Sequence, residues 1–167
     1  MSDPDIHVRP ATAADISVLL EARRGMFADM GEAQAPGREE GEVRLATWLA
    51  EGLADGSAGG WIAEDDAGRW VGALSVSHEQ TVPSRHNMSG RQSYLFGLWV
   101  RPENRRRGVA RALVQAATAA ARDGGEGAVT LMASDHGRPL YQGLGFVPAP
   151  AMRLFFEPEG SPQKGER

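Results

Sequence analysis

The chain has 167 residues and a net charge of −4, from 18 Lys and Arg against 22 Asp and Glu. That length suits one domain with one core, and the mildly acidic balance argues against a general nucleic-acid binder. There is no cysteine, and the only lysine is Lys164 near the C-terminus. Disulfides, thiolate metal sites, a cysteine-bound acyl intermediate and a Schiff base on a core lysine are therefore excluded. No apolar run reaches the roughly 18 residues of a membrane span, and Met1 to Pro10 lacks the basic start and apolar stretch of a signal peptide. The expectation is a cytoplasmic protein that binds neither membrane nor nucleic acid.

Ile6 to Arg9 alternates like a short first strand. Thr12 with Asp15 three residues on resembles a capping box. Ile16, Leu19, Leu20 and Phe27 then form an apolar stripe at helical spacing, predicting a helix to about Gly25 or slightly beyond. A Gly- and Glu-rich loop leads to a second helix, about Arg38 to Leu53, with Leu45, Trp48, Leu49 and Leu53 on its apolar side. Gly56 to Gly60 reads as a turn. Trp61–Glu64 and Trp70–Ser77 read as a hairpin around Asp65-Asp66-Ala67-Gly68. Thr81 to Ser93 is a polar loop, and Tyr94 to Val100 an apolar strand. A helix from Ala110 to Arg122 presents Ala110, Leu113, Val114, Ala117 and Ala121 on one face and stops at Gly124-Gly125. Ala128–Ala133 is a further strand and Pro139–Leu144 a short helix. Phe146-Val147 and Met152–Phe156 are the last two strands expected, and residues 157–167 a disordered tail.

Between the strand ending at Val100 and the helix starting at Ala110 lies the basic turn Arg105-Arg106-Arg107-Gly108-Val109-Ala110-Arg111. A strand feeding a glycine-containing turn that opens a helix is a phosphate-holding device, because the first helical N–H groups are unpaired and carry partial positive charge. A P-loop is excluded by the glycine spacing and the missing lysine, and a dinucleotide fingerprint by the single glycine. The remaining pattern, Arg/Gln-x-x-Gly-x-Gly/Ala, is met by Arg105, Gly108 and Ala110.

That pattern resembles the acetyl-CoA pyrophosphate loop of the GNAT superfamily of N-acyltransferases. Leu98-Trp99-Val100-Arg101-Pro102-Glu103 resembles the family's central strand running into the loop. Leu140-Tyr141-Gln142-Gly143-Leu144-Gly145-Phe146 resembles its C-terminal signature, and Val8 to Thr12 with Asp15 its first strand and helix start. The resemblance covers about residues 6 to 156 and implies an α/β GNAT fold: a mixed central sheet of about six to seven strands with a V-shaped splay, flanked by about four helices. It places residues 1–156 in one domain.

The resemblance further implies acetyl-CoA as donor, and the spacing of the histidines predicts no metal. A bulge near Leu98 to Val100 frees backbone groups for the pantetheine arm, and the Val100 N–H polarises the thioester. The N–H groups of Arg106 to Arg111, Val109 included, wrap the pyrophosphate, with Arg105, Arg106, Arg107 and Arg111 as counter-charges. Gly108 and Ala110 matter most, since bulk there obstructs the ligand. Tyr141 is the candidate general acid for the departing thiolate, though it is also placed to pack the short helix. Asp135 stands where many members carry an asparagine that contacts CoA, and is equally placed to cap the following helix.

The residue that deprotonates the amine is open. Tyr94 to Val100 holds no carboxylate or histidine, leaving Asp29, Glu32, His78, Glu79 and His136. His7, His78, His86 and His136 show no metal-ligand spacing. The expected function is direct acetyl transfer from acetyl-CoA to the primary amine of a small molecule, amino acid or protein. An acyl-CoA sensor without turnover and a protein that binds ATP or NAD are the rivals. A monomer or homodimer is expected, with Met152–Phe156 available as a dimer edge.

Overall fold

The computed structural model describes residues 6–34 and 36–156; the expected tail at 157–167 lies outside them. The elements run β1 (His7–Pro10), α1 (Ile16–Asp29), α2 (Arg38–Asp55), β2 (Ala58–Glu64), β3 (Trp70–Gln80), β4 (Arg91–Val100), α3 (Val109–Asp123), β5 (Ala128–Leu131) and α4 (Arg138–Gln142), with 3-10 turns at Ala13–Asp15 and Pro102–Asn104. One five-stranded sheet has the order β1-β2-β3-β4-β5. Its first four strands are antiparallel, and β5 is parallel to β4.

The sheet is buried on both faces, so the middle of β3, Val71 to Val76, is buried throughout and apolar but for Ser75. Leu19 and Ala22 of α1 and Leu49 of α2 pack with Ile62 and Ala73 on one face. On the other face Val109, Leu113, Val114 and Ala117 of α3 meet Val71, Leu74, Val76, Leu95 and Val100. Leu113, Val114 and Ala117 belong to the apolar stripe read from the spacing, whose Ala110 and Ala121 are partly and fully buried, and Val109 joins them. The start of α1 is pinned by Asp15, whose carboxylate accepts from the Thr12 N–H (2.8 Å) and from Arg9 (2.9 Å). The Arg9 hydrogen bond, first among its causes, holds the Asp15 carboxyl well below the usual carboxylate range.

What opens the site is a loss of pairing along β4. Its N-terminal half is flanked by β3 and by β5, the latter from Gln92 opposite Ala128 to Leu95 opposite Leu131. Beyond Leu95, β5 contributes no further pairs, while β3 continues to Gly72 opposite Val100. The β3–β4 register slips between Ala73 and Ser75, so Gly97 and Leu98 together oppose Leu74. Gly97 has φ 65° there, the left-handed conformation that glycine adopts without a Cβ penalty.

Among the described residues the sheet has five strands, not the six or seven expected. Residues 147–156 have no regular structure, and Val147, Met152, Leu154, Phe155 and Phe156 are exposed. Pro148 and Pro150 each lack the N–H that a ladder needs. The expected turn at Gly56 to Gly60 is largely strand, because β2 starts at Ala58. The first helix runs on to Asp29.

Candidate active site

Where β5 parts from β4, a cleft of about 1290 Å³ opens between the C-terminal half of β4, the loop before α3, the residues after β5 and α4. Leu98 and Val100 line it. The Arg101 N–H donates to Val71 O of β3 (2.9 Å). Alternation along an antiparallel ladder therefore turns the Val100 N–H away from β3, toward the side that β5 has vacated.

The loop after β4 has the backbone geometry of an anion cradle. Arg106 has φ 61°, the one positive-φ residue other than glycine among the described residues, and Gly108 follows with φ 80°. Left-handed residues flanking Arg107 turn successive N–H groups to one concave side. A non-glycine residue held there stores about 1–3 kcal/mol, the kind of strain found at ligand clamps. Gly108 is the N-cap of α3, and the first intrahelical bond runs from Ala112 N–H to Gly108 O (2.9 Å). The N–H groups of Val109, Ala110 and Arg111 thus have no carbonyl within the helix. Arg106, Gly108, Val109, Ala110 and Arg111 all line the cleft; Arg107 does not. Arg105 lines it too, but its side chain is tied down, Nε to Val100 O (3.0 Å) and Nη2 to Asp29 Oδ2 (2.6 Å).

Tyr141 of α4 lines the same cleft, its ring edge-on to Phe146 with centroids 5.8 Å apart. Burial pushes its phenol above the ordinary tyrosine value, so it keeps its proton at neutral pH. No described residue hydrogen-bonds the hydroxyl. Asp135 is not brought to the cleft: its fully exposed carboxylate pairs with Arg138 at 3.2 Å at the start of α4. Its neighbours Ser134 and His136 do line the cleft.

Of the five candidate bases, Asp29 and His136 lie on the cleft wall. Asp29 Oδ2 accepts from Trp99 Nε1 (2.9 Å) as well as from Arg105, clamping the end of α1 to β4 and its loop. Glu79 accepts from Gln92 (3.0 Å), and His78 Nδ1 pairs with Glu126 (2.7 Å), both at the opposite end of β4. Glu32 lines a separate small cavity. Sequence reasoning placed a bulge near Leu98 to Val100 without centring it on Gly97, and it did not single out the Asp29 clamp or Arg23, Tyr94 and Phe96 in the cleft wall. A glycine inside an apolar strand pattern was the available signal for the bulge.

Residues 24–146 match the sequence model of the acetyltransferase (GNAT) family. This chain belongs to that family. It is accordingly an acyl-CoA-dependent N-acetyltransferase, and acetyl-CoA is the family's usual donor. A GCN5-related N-acetyltransferase from Ralstonia eutropha JMP134 is 27% identical to it, over 91% of this chain and 99% of that one, with a TM-score of 0.83. An acetyltransferase from Clostridium acetobutylicum, solved with acetyl-CoA, is 24% identical over 91% and 96% of the two chains, TM-score 0.79. A Trypanosoma brucei acetyltransferase shares 24% identity over 91% and 100%, TM-score 0.65. The last two show likeness of fold alone. No curated protein is significantly similar in sequence. Among the described residues of this GNAT enzyme, no helix is long and apolar enough to cross a membrane and no group of three His, Asp or Glu could hold a metal.

Proposed function

We propose that this enzyme moves the acetyl group of acetyl-CoA directly to a primary amine, with Tyr141 as general acid. The observation that carries the reading is the Tyr141 phenol, protonated and without a hydrogen-bond partner among the described residues, in the cleft that also holds the strained anion loop. The N–H groups from Arg106 to Arg111 hold the pyrophosphate. The backbone of Leu98 and Val100 orients the pantetheine arm, and the Val100 N–H meets the oxygen on which charge develops. The amine nitrogen attacks the thioester carbon, the C–N bond forms and the C–S bond breaks. Tyr141 gives its proton to the leaving thiolate, and the proton released by the amine restores the phenol through water.

Replacing Tyr141 with Phe tests this. The account expects kcat to fall about 100-fold with little change in the KM for acetyl-CoA, since the lost interaction exists only in the transition state. An unchanged kcat, in a reaction limited by chemistry, removes Tyr141 from the acid role.

A further inference from the structure

Among the described residues, two arginines next to the cleft have no carboxylate partner. Arg23, on the inner side of α1, places its guanidinium 4.9 Å from the Phe27 ring centroid and 5.6 Å from that of Phe96. Arg38, at the start of α2, lies 4.1 Å from the same Phe27 ring. Both line a cavity of about 240 Å³ between α1 and α2, and Arg23 and Phe27 also line the cleft, so the two spaces share a wall. Arg23 makes only these ring contacts among the described residues. Arg38 donates through Nη2 to the carbonyl of Glu32, while its buried Nε has no hydrogen-bond partner among the described residues.

The neighbouring carboxylates are otherwise placed. Glu42, in the cavity wall, is taken by Arg24 at 3.0 Å. Asp29 is held by Arg105 and Trp99. Glu32 is exposed and reaches Arg38 only through its carbonyl. Burial lowers the Arg23 pKa, and Arg38 lowers it further while Tyr94 opposes, yet an arginine stays charged. A single guanidinium on an aromatic face is a common packing element. Two of them sharing one ring, partly desolvated and with N–H donors unspent, leave positive charge that an anion would relieve.

We infer that the amine acceptor carries an anionic group, a carboxylate or a phosphate, which docks on Arg23 and Arg38 while its amine enters the cleft. This rests on the acetyl-transfer reading and narrows its acceptor: a polycation is repelled here, and a neutral amine leaves both arginines unpaired.

The test compares matched amines by thiol release from acetyl-CoA: ethanolamine with phosphoethanolamine, and an amino acid amide with the free amino acid. Expected is a kcat/KM at least about tenfold higher for the anionic member of one pair, the worth of a charge-assisted hydrogen bond. Which pair responds separates phosphate from carboxylate. Arg23→Gln should bring that ratio close to one, and Arg23→Lys should restore part of it. In parallel, inorganic phosphate and glutarate are titrated by calorimetry into the enzyme–CoA complex and into Arg38→Gln. Saturable binding weakened by the substitution supports the site. Neutral or polycationic amines turned over as well as anionic ones, or a ratio unmoved by Arg23→Gln, overturns it. So does the lack of binding of either anion. Anion binding without thiol release from any amine keeps the site and sinks the transfer reading. Release from neutral amines without anion binding does the reverse.

Discussion

The two halves of β4 differ in what lies beside them. From Arg91 to Leu95 the strand is flanked by β3 and β5, and the flank is tied across by side chains. Glu126, nearly buried just before β5, accepts from the Ser93 hydroxyl at 2.5 Å and pairs with His78 of β3 at 2.7 Å. From Phe96 to Val100 the strand has β3 alone, a left-handed glycine and an open edge. The lesson is that one strand can anchor the sheet at one end and offer bare backbone at the other. The closed half holds the geometry rigid, so the open half can present N–H groups without the sheet fraying.

Two substitutions separate these jobs. The largest effect is expected from Gly108→Glu, beside the open half. Nothing stands within 4 Å of a Cβ built at Gly108, so the side chain meets no clash, but it puts a carboxylate where the pyrophosphate would sit. Calorimetry should find CoA binding lost, with a stability cost of only about 1–2 kcal/mol from a left-handed non-glycine residue. Retained tight binding would show that this loop is not the anion seat. A smaller and opposite effect is expected from Glu126→Ala in the closed half. Removing the carboxylate that the buried Ser93 hydroxyl and His78 share should cost about 1–2 kcal/mol, with the hydroxyl left only its 3.2 Å contact to His78 Nδ1, read as a lower urea midpoint with unchanged slope. CoA affinity should stay within about twofold, since the cost lies in the sheet's stability and not in the loop. Equal loss of CoA binding in both variants would mean that the halves act as one.

The loop and the short helix that line the cleft were legible because their signals are local. The spacing of Arg105, Gly108 and Ala110, and Tyr141 on its short helix, are contiguous patterns that a chain carries regardless of its partners. The V-shaped splay was expected from the resemblance and not from any spacing, because it consists of where β5 stops pairing, a non-local fact. The bulge was expected near Leu98 to Val100 and centres on Gly97 and Leu98, one residue or so earlier. The clamp from Asp29 to Trp99 and Arg105 joins residues far apart in the chain, and no spacing announces it. Arg23 reads in sequence as one more solvated helix charge. Only the fold shows that Phe27 and Phe96 flank it and that no carboxylate pairs with it among the described residues. The last two strands were read from apolar residues alone, and the prolines among them went underweighted. Gly59 and Gly60 misled in the other direction, since a Cβ at Gly60 would press on Leu74 O and on Leu19, and the strand needs glycine there for α1 to pack.

The most direct measurement of the central claim is amide hydrogen exchange with and without CoA. The account predicts new protection at the N–H groups of Leu98 and Val100 and from Arg106 to Arg111, with no change from Arg91 to Leu95, which the sheet already protects. Protection spread evenly along β4, or none in the 106–111 loop, would contradict it.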